Sequence, residues 1–187
     1  MRVLYLMRHA KSDWTTPGLP DRERPLASRG KRATDMLVQY LRREGIAPTL
    51  VLCSSAARAV QTLDRIAIAL APETAMSIEE DLYGASCEDL AHRLHQLPDT
   101  VPSVMLIGHN PALQRLAVML TGEGDAQALA RLREKLPTGA LVTLALTTGE
   151  WGQLETSGAR LLSLITPKDL SRRPGRNSRP ARGEEGS

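Results

Sequence analysis

Apolar residues in this chain gather into short unbroken runs, and three of these runs end on an arginine or a histidine. Val3-Leu4-Tyr5-Leu6-Met7 leads into Arg8-His9, and Leu50-Val51-Leu52-Cys53 leads into Ser54-Ser55-Ala56-Ala57-Arg58. Val104-Met105-Leu106-Ile107 leads into Gly108-His109-Asn110-Pro111. Continuous apolar runs of four or five residues predict strands buried on both faces. Between them the spacing changes to that of helices. Ala33, Met36, Leu37 and Leu41 predict a helix over about 28–44, with Ser28 as N-cap and Gly45 as its stop. Val60, Leu63, Ile66, Ala67 and Leu70 predict another over 57–70, closed by Pro72. Ser86 and Asp89 have capping-box spacing for a short helix to about Gln96. Pro111 opens a helix to Leu120, and a further helix is expected over 126–136.

Weaker patterns complete the outline. Met76 to Ile78 reads as a short strand, and Ala140–Leu146 with Ala159–Ile165 as a closing hairpin. Lys11 to Pro25 is a polar loop holding Pro17, Gly18, Pro20 and Pro25, of a length usually kept for function. Strand and helix alternate through the first two thirds. The expected fold is therefore α/β: a three-layer α/β/α sandwich with a mostly parallel sheet and a partly antiparallel closing pair.

Composition limits the partners. The 187 residues include three Tyr, two Trp and no Phe, so no aromatic platform for nucleic-acid bases is expected. The net charge of +3 resides in residues 168–187, where six basic side chains face three acidic ones; the other 167 residues carry eighteen of each sign. That stretch, rich in Arg, Ser, Pro and Gly, is expected to be a disordered basic tail following a domain over 1–167. Cys53 and Cys87 have no metal-ligand spacing, and the opening apolar run is too short for a signal peptide or a membrane span. A cytoplasmic monomer, bound to neither nucleic acid nor membrane, is the expectation. Cys53 reads as a buried core thiol. His92 and His95 lack a third ligand and read as surface residues.

In an open α/β sheet, ligands bind beyond the carboxyl ends of the strands. Strands lying side by side would therefore bring Arg8, His9, Arg58 and His109 into one positive pocket. Two guanidinium forks suit a phosphoryl group, and the helix starts near Ala57 and Pro111 would add backbone N–H groups. An imidazole there can attack phosphorus and carry the group, splitting transfer into two steps. The phosphate-loop glycine signature is absent and no carboxylate cluster is evident, so no metal and no cofactor are expected.

Leu6-Met7-Arg8-His9-Ala10 resembles the Arg-His-Gly signature of the histidine phosphatase (phosphoglycerate mutase-like) superfamily, with Ala at the Gly position. Ser54-Ser55-Ala56-Ala57-Arg58-Ala59-x-Gln61-Thr62 is similar to that family's second arginine motif, and Gly108-His109-Asn110 to its second histidine motif. Arg8 to Trp14, the Arg24-Pro25-Leu26 stretch and the small size point to its SixA-type phosphohistidine phosphatase branch. The resemblance implies His9 as nucleophile, Arg8 and Arg58 as phosphoryl ligands, His109 completing the pocket, and Arg24 as a further substrate ligand. It also implies phosphohistidine on a protein as substrate; a small phosphoester metabolite is the alternative. A non-catalytic phosphate-binding adaptor using the basic tail is a reading from another class. Larger relatives place a Glu three residues before Tyr-Gly, which here falls on Glu80, with Asp81 as its competitor for the role of general acid.

Overall fold

Side chains along the central runs alternate between two cores, which is what a sheet covered on both faces requires. In a computed structural model describing residues 2–172, Leu4, Leu6, Leu52, Val104, Leu106, Val142 and Leu144 pack into one core. Met7, Val51, Cys53, Met105, Ile107 and Leu141 pack into the other. The strands are β1 (Arg2–Arg8), β2 (Leu50–Ser54), β3 (Ala75–Glu79), β4 (Ser103–Gly108), β5 (Thr121–Glu123), β6 (Leu141–Leu146) and β7 (Ala159–Ile165). The helices are α1 (Ser28–Arg43), α2 (Ala57–Ile66), α3 (Cys87–His95), α4 (Ala112–Leu120), α5 (Ala126–Glu134) and α6 (Pro167–Ser171). Helices α1 and α2 supply apolar residues to the second core, and α3, α4 and α5 to the first. The expected α/β/α sandwich is the observed one.

The seven strands form one sheet in the order β3-β2-β4-β1-β6-β7-β5. Neighbours from β3 to β1 are parallel, as are β5 and β7, whereas β6 runs antiparallel to both β1 and β7. Strand β4 lies between β1 and β2, pairing Arg8 with Gly108 and Cys53 with Ile107. That register brings the carboxyl ends of β1, β2 and β4 to one level. The residues that follow them leave the sheet together.

Local chemistry explains where the expected elements and the observed ones part. Ser28 is the first helical residue rather than the cap; Ala27 occupies the cap position and offers no side-chain bond. Helix α2 ends at Ile66 and tightens into a 3-10 turn over Ala67–Ala69 before Pro72. Strand β5 was not expected, because Thr-Gly-Glu is too short and too polar to signal a strand and is set by its pairing with β7. Met76 and Ile78 are exposed because β3 is a sheet edge. The Ser86–Asp89 capping box is formed as its spacing predicts.

The boundary drawn at 167 also moves. Thr166 and Asp169 form a second capping box that starts α6, and Arg131 holds Asp169 at 2.7 Å. Leu170 packs against the second core. Residues 168–171 are thus ordered where a disordered tail was expected, because one cap and one apolar contact suffice for a single turn. The remainder of that tail, 173–187, lies outside the described residues. Among the described residues no helix is long and apolar enough to cross a membrane.

The loop after β1 is a closed strap. Ser12 bridges to Leu26, Asp13 N–H donates to Pro25, and Ala27 N–H donates to Lys11. Helix α1 starts against this strap at Gly30, where a Cβ would collide with the Lys11 carbonyl oxygen. Gly30→Ala is therefore expected to destabilise the fold by about 1–3 kcal/mol, as overpacking against backbone does; denaturant unfolding measures it, and an unchanged midpoint would contradict the packing.

Candidate active site

Three side chains meet where the three strands end, and Arg8 leads into them along β1. His9 follows β1, His109 follows β4, and their rings lie 5.0 Å apart between centroids. Arg58 enters from the second position of α2, and Arg8 is the last residue of β1. Of the four side chains expected to converge, His9, Arg58 and His109 are in contact with one another, whereas Arg8 donates to the Leu136 carbonyl and reaches the two imidazoles through its charge. Arg24 does not join them through any hydrogen bond: its guanidinium stacks 4.1 Å from the Trp14 ring centroid and reaches the Thr16 carbonyl, so its contacts serve the strap.

Arg58 organises the cluster. Its Nε–H donates to His9 Nε2 at 3.2 Å, and Nη1 to the Asp21 carbonyl at 2.6 Å. Nη2 donates to Asp21 Oδ2 at 2.9 Å and to His109 Nδ1 at 3.3 Å. A guanidinium can only donate, so both imidazole nitrogens facing it must be bare acceptors. The opposite nitrogens then carry the protons. His9 Nδ1–H donates to the Ala10 carbonyl at 2.8 Å, and His109 Nε2–H to Ser54 Oγ at 2.7 Å. Both rings are neutral, with fixed tautomers.

Electrostatics favour the same state. Burial is the largest influence on the His9 imidazole and the Ala10 carbonyl opposes it next, while the neighbouring His109, Arg58 and Arg8 add smaller downward pushes, leaving it at about 3. The two arginines thus help keep His9 neutral, but burial contributes more than their charge. His109 falls to about 4, again through burial first and Arg58 second, with Asp21 opposing. Arg8 donates to the Leu136 carbonyl at 2.8 Å, a carbonyl that Asn110 Nδ2 shares at 3.0 Å. The Arg8 Nε is buried and has no partner. A buried donor left unmatched is uncommon in folded proteins, and this one borders the His9 ring's own loop.

The surrounding motif residues keep the loop after β1 in place. Thr62 Oγ1 accepts the Ala10 N–H at 3.0 Å while donating to the Arg58 carbonyl, and Gln61 Oε1 accepts the Leu26 N–H at 2.8 Å. Gly139 N–H is shared by the Arg8 and His9 carbonyls. Ala10 stands at the glycine position of the resembled signature without strain: its backbone is outside the left-handed region and its methyl is buried.

Sequence reasoning missed Asp21, Ser54 and the role of Tyr83. The Tyr83 hydroxyl donates to Asp21 Oδ2 at 3.0 Å, and its ring meets His109 edge-on at 5.7 Å. Asp21 lies in an aperiodic loop, where hydrophobic patterning is silent. Glu80, weighed as a general acid, forms an ion pair with Arg22 on the exposed rim, and Asp81 makes no hydrogen bond to the cluster. His95 bonds the Leu154 carbonyl and His92 bonds Gln96. Cys53 is buried, its thiol pushed up to about 12 chiefly by desolvation.

Two neutral imidazoles, His9 buried and His109 half-buried, have a consequence for stability. Their folded-state values lie below the ordinary 6.5, so the unfolded chain binds more protons between about 6.5 and 4. Stability is expected to fall as pH drops through that window. Urea unfolding at pH 7.5 and 4.5 checks this, and NMR titration should show both rings still neutral at pH 5.

Comparison with known proteins agrees with the geometry. Residues 4–137 match the family model described as the histidine phosphatase superfamily, branch 1. An uncharacterized protein of Mycobacterium tuberculosis is 35% identical over 164 residues, covering 87% of this chain and 100% of that one. The SixA protein of Nakamurella multipartitia, proposed to be a phosphohistidine phosphatase, superposes with a TM-score of 0.76 at 28% identity, covering 89% of this chain and 96% of that one. The SixA protein of Agrobacterium tumefaciens gives 0.73 at 28% identity over 89% and 98%. The chain belongs to the histidine phosphatase superfamily, branch 1, and is a phosphatase of that superfamily whose fold is close to SixA structures.

Proposed function

We propose that the protein removes phosphate from phosphohistidine carried on another protein, through a phosphorylated His9. The observation that carries this reading is the state of His9: neutral, tautomer fixed through Ala10, with Nε2 as the bare nitrogen facing Arg58. Nucleophilic attack needs that unprotonated nitrogen. When a phosphoryl group arrives, the Arg58 Nε–H transfers from Nε2 to a phosphoryl oxygen, and the lone pair is released for attack. Arg8 offers its unpartnered Nε–H as a second donor. The two guanidinium charges stabilise the equatorial oxygens, which is the main task in phosphoryl transfer. In the second step water attacks phosphorus, the bond to His9 breaks, and its electron pair returns to Nε2.

Two features support a macromolecular substrate. The rim is open, with surface grooves of about 840 and 620 Å³ on either side of the Arg22–Glu80 pair. The larger groove does not overlie the four residues but shares Tyr83 with them, so it would seat what flanks the phosphoryl group. The SixA protein of Nakamurella multipartitia, proposed to act on phosphohistidine, points the same way. The cytoplasm is the proposed setting, in keeping with two free cysteines, Cys53 and Cys87, in place of a disulfide framework.

Incubation with a labelled phosphodonor, followed by rapid quenching and mapping of acid-labile phosphate, should place label on His9 and none on His9→Ala. Label undiminished in that variant would defeat the mechanism. Arg58→Ala is expected to lower kcat/KM by about 10²–10³, the loss typical of one removed transition-state donor. A substrate screen in which a small phosphomonoester is strongly preferred over phosphohistidine would replace the protein substrate with a metabolite.

A further inference from the structure

A carboxylate stands where an anion is to bind. Asp21 Oδ2 accepts from Arg58 Nη2 and from the Tyr83 hydroxyl, while Oδ1 has no hydrogen-bond partner among the described residues. The side chain is 44% exposed, against 9% for that of Arg58. Asp21 therefore lies on the solvent side of the guanidinium whose Nε touches the nucleophile. With both imidazoles neutral, the pocket has two positive charges, Arg8 and Arg58, and Asp21 cancels one of them.

For a phosphoryl group on an alcohol this arrangement is a penalty: a like charge sits beside a dianion and half of the cationic field is lost. Burial pushes the Asp21 carboxyl upward, but the Arg58 and Tyr83 hydrogen bonds outweigh it and hold the group ionised. The penalty reverses when the substrate brings a cation of its own. In N-phosphorylated imidazole the ring nitrogen distal to phosphorus is basic, and once protonated it presents an N–H and a positive charge on the side away from the phosphoryl oxygens. We propose that Asp21 is a specificity-determining residue whose free oxygen accepts that distal N–H, so that the site selects phosphoryl groups borne on an imidazole over those borne on an oxygen. This rests on the phosphohistidine reading above and adds the residue that enforces it.

The step balances without a proton donor from the enzyme. His9 Nε2 supplies the electron pair for the new N–P bond, the substrate's P–N bond breaks, and its pair stays on the departing nitrogen. The distal nitrogen keeps its proton, so the leaving group departs as neutral imidazole. A carboxylate beside that ring raises the protonated fraction and strengthens the contact by charge assistance. With the proton already on the substrate, a donor from the enzyme is unnecessary, and the described candidates are otherwise engaged: Glu80 is held by Arg22, and both nitrogens of His109 have partners.

The test compares two substrates on one preparation, phosphohistidine and p-nitrophenyl phosphate, for the full chain and for Asp21→Asn and Asp21→Ala. The ratio of their kcat/KM values cancels any general loss from a poorly held Arg58 or a partly misfolded variant. In both variants the ratio, phosphohistidine over ester, is expected to fall by about tenfold or more, the worth of a lost charged hydrogen bond. An unchanged ratio, with both substrates slowed together, would overturn the proposal and leave Asp21 as a support for Arg58, while the phosphohistidine reading stood. A wild-type protein that hydrolyses the ester and leaves phosphohistidine untouched would overturn both.

Discussion

Arg58 has no lone pair, and much of the site follows from that. Every group around its guanidinium must accept, so His9 Nε2, His109 Nδ1 and two oxygens of Asp21 are bound to the same cation. One donor thereby fixes two tautomers and anchors the strap between β1 and α1. The guanidinium is nearly buried and its orientation is set by α2, whose next turn also pins the strap through Gln61 and Thr62. Chemistry and packing share a helix.

The sheet supplies the other constraint. Placing β4 between β1 and β2 puts two histidines and one serine at the same level, because parallel pairing in register leaves each strand end the same length. A slip of one residue would turn His9 toward the opposite face and bury a different set of side chains in each core. The apolar alternation between the two cores therefore protects the active-site geometry as well as the fold. Layers and site are specified by the same register.

Much of this was legible in the sequence because strand ends announce themselves. An apolar run has a definite last residue, and Arg8, His9, Arg58 and His109 each follow one closely. The closing antiparallel pair and the Ser86 capping box were readable for similar reasons of periodicity and local spacing. Asp21 was not, since the strap has no period and the carboxylate is placed by tertiary bonds to Arg58 and Tyr83. Arg24 illustrates the converse: its motif is conspicuous, yet the guanidinium spends its contacts on Trp14 and Thr16. Helix α6 escaped notice because a five-residue turn vanishes in the average composition of a polar segment.

The saturation of Arg58 bears on how the site releases what it binds. Four of the five N–H bonds of a guanidinium already have acceptors before any phosphoryl group enters. Binding is then an exchange of partners, with little net gain in hydrogen bonds, and departure of phosphate is the same exchange in reverse. Arg58 by itself therefore gives inorganic phosphate little extra hold, and the unpartnered donor belongs to Arg8. In the proposed transfer, what Arg58 contributes lies less in gripping the ground state than in meeting the charge that develops as the group passes to His9.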